Sequence, residues 1–495
     1  MTDGTVADGP TRDEVRAAAV AFIGSAFASL TEENVLPTPR VHPYIEVGRD
    51  YFGGDIMPLA EFSLFSSVLE RAYRARFAEP VGSTDPEFAN AYVFSFLEAC
   101  VARCGIEGYP YEPNSPPVEE RITELIAVLE QGEFQIACCR EISHLTTADE
   151  EPLQIGDVLL VPESADRHSL IGVASSEVPG TVSAFNRNEP RFYDPPKSMI
   201  IVRERSDDRP YEVASSLIGT IERFLLIARL LHSSTAQSYW QVYGMSTLVS
   251  RMNPVYKTFS PASAMGPLVR RTVRLTADDA PAFEELGSML DGVAAKRDGM
   301  ATTSFDMALD RYLRSYRTSN GFDAIIDLAT ALEAVLTGDD SSSEAISLRL
   351  RNRAAALLAT DVDDAGAIFK DLALLYGVRS KLLHAGGIKE NDMKRDIARV
   401  STVPADSPFG MAVAYAVDRM RDLVRRSILA RLCLAAAPDP LWPFSGGVSV
   451  DAALSDDAFR IRWRETWRGR MDAIGATAAA QRARPGVDFI SQEDR

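Results

Sequence analysis

Ala365-Gly-Ala-Ile-Phe-Lys-Asp-Leu-Ala-Leu-Leu-Tyr-Gly-Val-Arg-Ser-Lys-Leu-Leu-His384 is the run whose periodicity decides how the C-terminal half reads. At 100° per residue from Ile368, the side chains of Leu372, Leu375 and Leu382 fall within about 40° of it, the apolar stripe of one helix. Arg379 falls at about 20°, inside that stripe. An unpaired guanidinium there would cost several kcal/mol, so it needs a counter-charge, a ligand or a wet cleft. Glu333 is the candidate structural counter-charge. His384 follows about 140° further round, directly before Ala385-Gly386-Gly387, whose glycines read as a helix C-cap. The negative end of the helix dipole favours the imidazolium and moves its titration toward the range useful for proton transfer.

Working outward, helical periodicity and start and stop signals predict helices near 279–296, 303–317, 322–337, 343–359, 365–384 and 409–435. Pro438 and Pro440 end the last one. Short links and the lack of a strand pattern argue for an antiparallel bundle. Upstream, residues 253–267 read as a connector and 211–232 as a helix. The runs Phe134–Cys138, Asp157–Val161 and Ser198–Val202 carry a β-type pattern and predict a small sheet. Residues 11–30, 57–76, 85–104 and 118–131 read as helices, the first opened by a capping box, Thr11-Arg-Asp-Glu14. The expected class is therefore mainly α. A helical region (1–132) and an α+β region (133–300) precede a bundle (301–440) and an Arg/Trp-containing tail (441–495).

At 495 residues, two to four domains with real cores are expected. Fifty-two Lys plus Arg against 70 Asp plus Glu leave −18, which excludes indiscriminate coating of polyanions. Five cysteines, few and odd in number, fit a reducing compartment, and the expected location is cytoplasmic. The apolar segment Ala17–Leu30 follows Asp13 and Glu14 where a signal peptide is positive, so no export or membrane role is expected. Phosphate-loop, dinucleotide-fingerprint, nucleophile-elbow and zincin motifs are absent. Cys100 and Cys104 at i, i+4, followed by Cys138, Cys139 and His144, are zinc-ligand types. Adjacent cysteines on a strand point to opposite faces, however, and buried free thiols are common. No metal or cofactor is expected.

Three blocks now align with a known pattern. Ala324-Ile-Ile-Asp-Leu-Ala-Thr-Ala-Leu-Glu-Ala-Val-Leu336, Leu350-Arg-Asn-Arg-Ala-Ala-Ala-Leu-Leu358 and Leu375-Tyr-Gly-Val-Arg-Ser-Lys-Leu-Leu-His-Ala-Gly386 resemble, in order and spacing, the C-terminal domain of Apea-like HEPN proteins. Arg379-Ser-Lys-Leu-Leu-His384 matches the family's R-x(4 to 6)-H signature, and the resemblance spans about 301–436. It implies a helical bundle that pairs with a second copy and, in many members, a metal-independent endoribonuclease. Carried over, His384 is the general base, Arg379 the transition-state cation and Ser380 a polar neighbour that orients phosphate or solvent. The product would be a 2′,3′-cyclic phosphate and a 5′-hydroxyl, with DNA inert. Members paired with nucleotidyltransferases often carry Tyr two residues after the His; here that position is Gly386.

With the chain at −18, RNA would need a local basic patch. Arg311, Arg314 and Arg317, then Arg349, Arg351 and Arg353, and Lys381 inside the motif, are the candidates. In the tail, Arg460, Arg462, Arg464, Arg468 and Arg470 interleave with Trp463 and Trp467. That pattern reads either as base stacking with phosphate grip or, preferred here, as an amphipathic helix docking its tryptophans on the bundle. The leading expectation is a dimeric endoribonuclease of defence or toxin type, whose N-terminal region binds an unknown trigger. The alternative is a non-catalytic HEPN module that assembles partners or binds RNA without cleaving it.

Overall fold

The computed structural model describes residues 9–32, 56–76, 108–131, 134–162, 197–206, 210–245, 271–295, 303–318, 320–338, 345–384, 390–444 and 448–483, with scattered positions between 93 and 104. The predicted connector at 253–267 and the glycines after His384 lie outside these residues. The protein is mainly helical with a small sheet region.

The first helices are α1 (Arg12–Glu32), α2 (Ala60–Arg76) and α3 (Pro116–Gln131), and the scattered described residues between 93 and 104 are helical as well. The capping box forms, with Glu14 N donating to Thr11 Oγ1 over 3.2 Å and Thr11 N to Glu14 Oε2 over 2.7 Å. By length and composition Arg12–Thr31 could cross a membrane. Here Phe22, Ile23, Ala26 and Leu30 are fully buried, and Phe22 stacks on Phe65 of α2 with ring centroids 5.5 Å apart. The prolines that open α3 stand where helical N–H groups have no partner.

Next come β1 (Phe134–Ser143), β2 (Leu145–Thr147), β3 (Leu153–Ile155), β4 (Val158–Pro162), β5 (Lys197–Ser206), α4 (Pro210–His232), β6 (Gln237–Met245) and β7 (Val273–Leu275). The sheet is larger than the three predicted runs. Its order is β3-β4-β5-β1-β6, antiparallel throughout, while β2 and β7 pair in parallel separately. β1 extends to Ser143 because it is paired on both edges, a constraint that local pattern does not carry. α4 packs on β1 and β5.

The remaining helices are α5 (Ala280–Ala295), α6 (Ser304–Arg314), α7 (Gly321–Thr337), α8 (Ile346–Leu358), α9 (Ala365–His384), α10 (Glu390–Ala398), α11 (Phe409–Ala436), α12 (Val450–Ser455) and α13 (Asp457–Ala473). α10 and α12 were not foreseen. Thr303 and Asp306 box the start of α6, and Asn320 Oδ1 caps α7 at Phe322 N over 2.9 Å. At Gly338, just past α7, a Cβ would collide with Ser304, so glycine lets the two helix ends meet. The buried side chains form one continuous core from Val15 to Ala480, and α5, α6, α7, α8, α10 and α13 all pack on α11.

α11 departs from the apolar pattern expected of a central helix. It is buried almost throughout, yet Arg419, Arg421, Arg425, Arg426 and Arg431 are each 5% exposed or less. Their charge is met inside the core: Arg426 and Arg425 donate to Asp422, and Arg425 also reaches the carbonyls of Leu230 and Ala479 at 2.9 and 2.7 Å. Arg431 lies over the rings of Trp442 and Phe444, its Cζ 4.2 and 4.3 Å from their centroids. Burial of this many guanidinia is tolerable only because nearly every arm has an acceptor.

Candidate active site on helix α9

Ile368, Leu372 and Leu375 are buried to 1% or less, so α9 sets its stripe into the core as the 3.6-residue period requires. Arg379 continues that stripe toward the surface, where its side chain is 20% exposed. Across from it, Glu333 on α7 brings Oε1 to 3.7 Å from Arg379 Nη2. That is an electrostatic contact too long for a hydrogen bond.

The reason lies one turn earlier on α9. The Tyr376 hydroxyl donates a hydrogen bond to the same Glu333 Oε1. At i, i+3 the phenol shares a face with Arg379, and the guanidinium Cζ rests 5.3 Å from the ring centroid. Burial, and then the hydrogen bond to and charge of Glu333, push the Tyr376 phenol up to about 12, so it is a proton donor throughout the physiological range. Arg379 Nε is buried without a hydrogen-bond partner. A cation held by a ring and a half-engaged carboxylate, and partly exposed, is equipped to receive a planar oxyanion.

Ser380 is half-buried beside Arg379. Lys381 Nζ is paired at 2.6 Å with Asp396 Oδ2 of α10, a helix the sequence reading missed, and so serves to hold α10 on α9. His384 is the last residue of α9, five positions beyond Arg379; its side chain lies outside the described residues.

The expected RNA-contacting cations are placed otherwise. Arg353 is 2% exposed; its Nε and Nη2 donate to Asp451 of α12 at 2.7 and 2.8 Å, and its Nη1 to Leu336 O at 2.6 Å. Arg349 Nε reaches the same carboxylate at 2.9 Å. Arg353, expected as an RNA contact, is instead buried with its arms on Asp451 and Leu336 O, and together with Arg349 it clamps α12 to α8. Arg351 bonds Ser347 O at 2.9 Å and covers Phe369. Arg311 pairs with Asp327 at 2.8 Å and Arg317 with Glu222 at 3.0 Å, while Arg314 is exposed.

The tail forms α13 and buries its tryptophans. Trp463 stacks on Trp442 at 5.6 Å, and Trp467 Nε1 donates to Leu357 O at 3.3 Å. Arg464 and Arg468 supply further donors to the carbonyls of Ala355, Ala356 and Ala359 at the C-terminal end of α8. Docking on the bundle, rather than base stacking, is the role of both rings.

Cys100 and Cys104 are fully buried, and burial pushes the Cys100 thiol well up; Cys138 is pushed up to about 12. Among the described residues no group of three His, Cys, Asp or Glu side chains could hold an ion. Sequence reasoning missed Tyr376, although its i, i+3 spacing from Arg379 was on the page.

No protein-family model, curated protein or solved structure matches this chain.

Proposed function

We propose that the chain is a metal-independent endoribonuclease of HEPN type, acting as a homodimer through its C-terminal bundle and controlled by the preceding regions. The observation that supports it best is Arg379: a partly exposed guanidinium in the apolar stripe of α9 whose nearest carboxylate stands 3.7 Å off and whose Nε has no partner, one and a half turns before His384.

In this reading His384 takes the proton of a ribose 2′-hydroxyl, the 2′-oxygen bonds to phosphorus, and the bond from phosphorus to the 5′-oxygen breaks. The leaving 5′-oxygen takes a proton from solvent, while the proton on His384 is returned to solvent, giving a 2′,3′-cyclic phosphate and a 5′-hydroxyl. Arg379 offers its planar fork to the equatorial oxygens as negative charge grows on them. On one ideal helix Arg379 and His384 point about 140° apart, and a two-fold axis between two copies of α9 would let the Arg of one chain serve the His of the other.

RNA cleavage assayed in EDTA tests the reading. Arg379→Ala and His384→Ala should each abolish cleavage while leaving fold and dimer intact. Cleavage unaffected by both would remove this site, and RNA binding or partner assembly without cleavage would point to a scaffold module instead.

A further inference from the structure

Glu333 and Arg379 face each other from adjacent helices, α7 and α9. A carboxylate facing a guanidinium ordinarily closes to about 2.7–2.9 Å, often with both oxygens engaged. Here the gap is 3.7 Å, and the oxygen nearest the guanidinium already accepts the phenolic hydrogen of Tyr376. The same phenol ring supports the guanidinium from one side at 5.3 Å. Tyr376 thus touches both partners and keeps them apart.

We infer that Tyr376 is a positioning residue: by occupying Glu333 it holds Arg379 electrostatically in place yet leaves the guanidinium's donors free for a phosphate. This rests on the ribonuclease reading. Without the hydroxyl, Glu333 would swing onto Arg379 and the closed pair would compete with the transition-state oxyanion. Binding of ground-state RNA, spread over many contacts, would change little, whereas the chemical step would slow.

The test is Tyr376→Phe in the full-length dimer, with folding followed by circular dichroism. The expected result is a fall in kcat of about tenfold or more with KM within about twofold, since the lost interaction belongs to the transition state. The double variant Tyr376→Phe/Glu333→Gln, which has no carboxylate left to close, should recover most of that loss. Rescue of this kind is not available to a residue that merely packs. Cleavage by Tyr376→Phe at the wild-type rate, or a loss that Glu333→Gln leaves in place, would overturn the inference. If the wild-type protein cleaves no RNA, the ribonuclease reading falls separately. A crystal structure of Tyr376→Phe then decides the local claim: closure of Arg379 on Glu333 to about 3 Å or less supports it, and an unchanged gap overturns it.

Discussion

Arg419 grips Asp363 with both arms of its guanidinium, Nη1 to Oδ2 at 2.9 Å and Nη2 to Oδ1 at 2.7 Å, and neither side chain is more than 1% exposed. The pair is the hub of a larger set. Arg419 Nε also donates to Asp371 at 2.9 Å, Arg426 reaches both Asp363 and Asp422, and Arg425 reaches Asp422. Asp371 in turn accepts from Ser401 N and Oγ at 2.8 and 2.6 Å. Three buried guanidinia meet three carboxylates, and Arg482 Nη1 stands 3.9 Å from Asp363 Oδ1 at the edge of the set. It fastens α11 to the turn before α9, to α9 itself and to the turn after α10. The frame that presents Arg379 is therefore held by buried charge as well as by apolar packing.

Removing one member leaves uncompensated charge in the core. Asp363→Ala strands two guanidinia and should destabilise the fold by about 3–5 kcal/mol, read as a lower urea midpoint. Arg314→Ala, on an exposed position of α6, should stay within about 0.5 kcal/mol of wild type. Equal effects would refute the assignment.

Acid should weaken the fold. For Asp363 and Asp422, burial raises the carboxyl pKa, but hydrogen bonds and charge from the surrounding arginines outweigh it and the net shift is downward. Asp451 is lowered too, first by its hydrogen bond from Arg353. Groups with lowered folded pKa values contribute stability that is present above the unfolded value of about 4 and lost as pH falls through the folded one. Asp418, raised by burial, acts with the opposite sign. Glu14, Glu222, Asp279 and Asp291 are lowered as well, so the lowered carboxyls outweigh Asp418 and stability declines on acidification below about pH 4, measured as the unfolding free energy in urea at stepped pH. A flat profile would contradict the network's role.

Arg353→Ala separates clamping from RNA contact. Its loss leaves Leu336 O unpaired and α12 held through Arg349 alone among these two cations, which should cost about 1–3 kcal/mol. Affinity for a 2′-O-methyl oligoribonucleotide, a probe that cannot be cleaved, should be unchanged in fluorescence anisotropy, since this guanidinium is not on the surface.

Trp467→Ala should cost about 3–5 kcal/mol, because a fully buried indole is exchanged for a cavity and Leu357 O loses its donor. In the wild type, Trp442, Trp463 and Trp467 should emit to the blue and resist quenching by iodide. Ready quenching of these rings would place α13 in solvent.

The helices were legible to within a few residues because their signals are local. Thr11 and Glu14, Thr303 with Asp306, and Asn320 are caps readable within four positions, and the stripe Ile368, Leu372, Leu375 repeats at 3.6. α10 was missed because its nine residues, Glu390–Ala398, are mostly charged, and it is held by Lys381 and Asp396 across from α9. β6 was missed because its strand character comes from the edge of β1 against which it pairs.

By itself the sequence determined the helical class, the boundaries of the bundle helices and the anomaly of a guanidinium inside an apolar stripe. All three depend on backbone preference and side-chain period over a few turns. Partner choice belonged to the tertiary structure. Asp363 and Arg419 stand 56 residues apart, Arg353 and Asp451 stand 98 apart, and Tyr376 takes Glu333 from 43 positions away. A charge has no period, and its nearest opposite is decided only when the helices close around it.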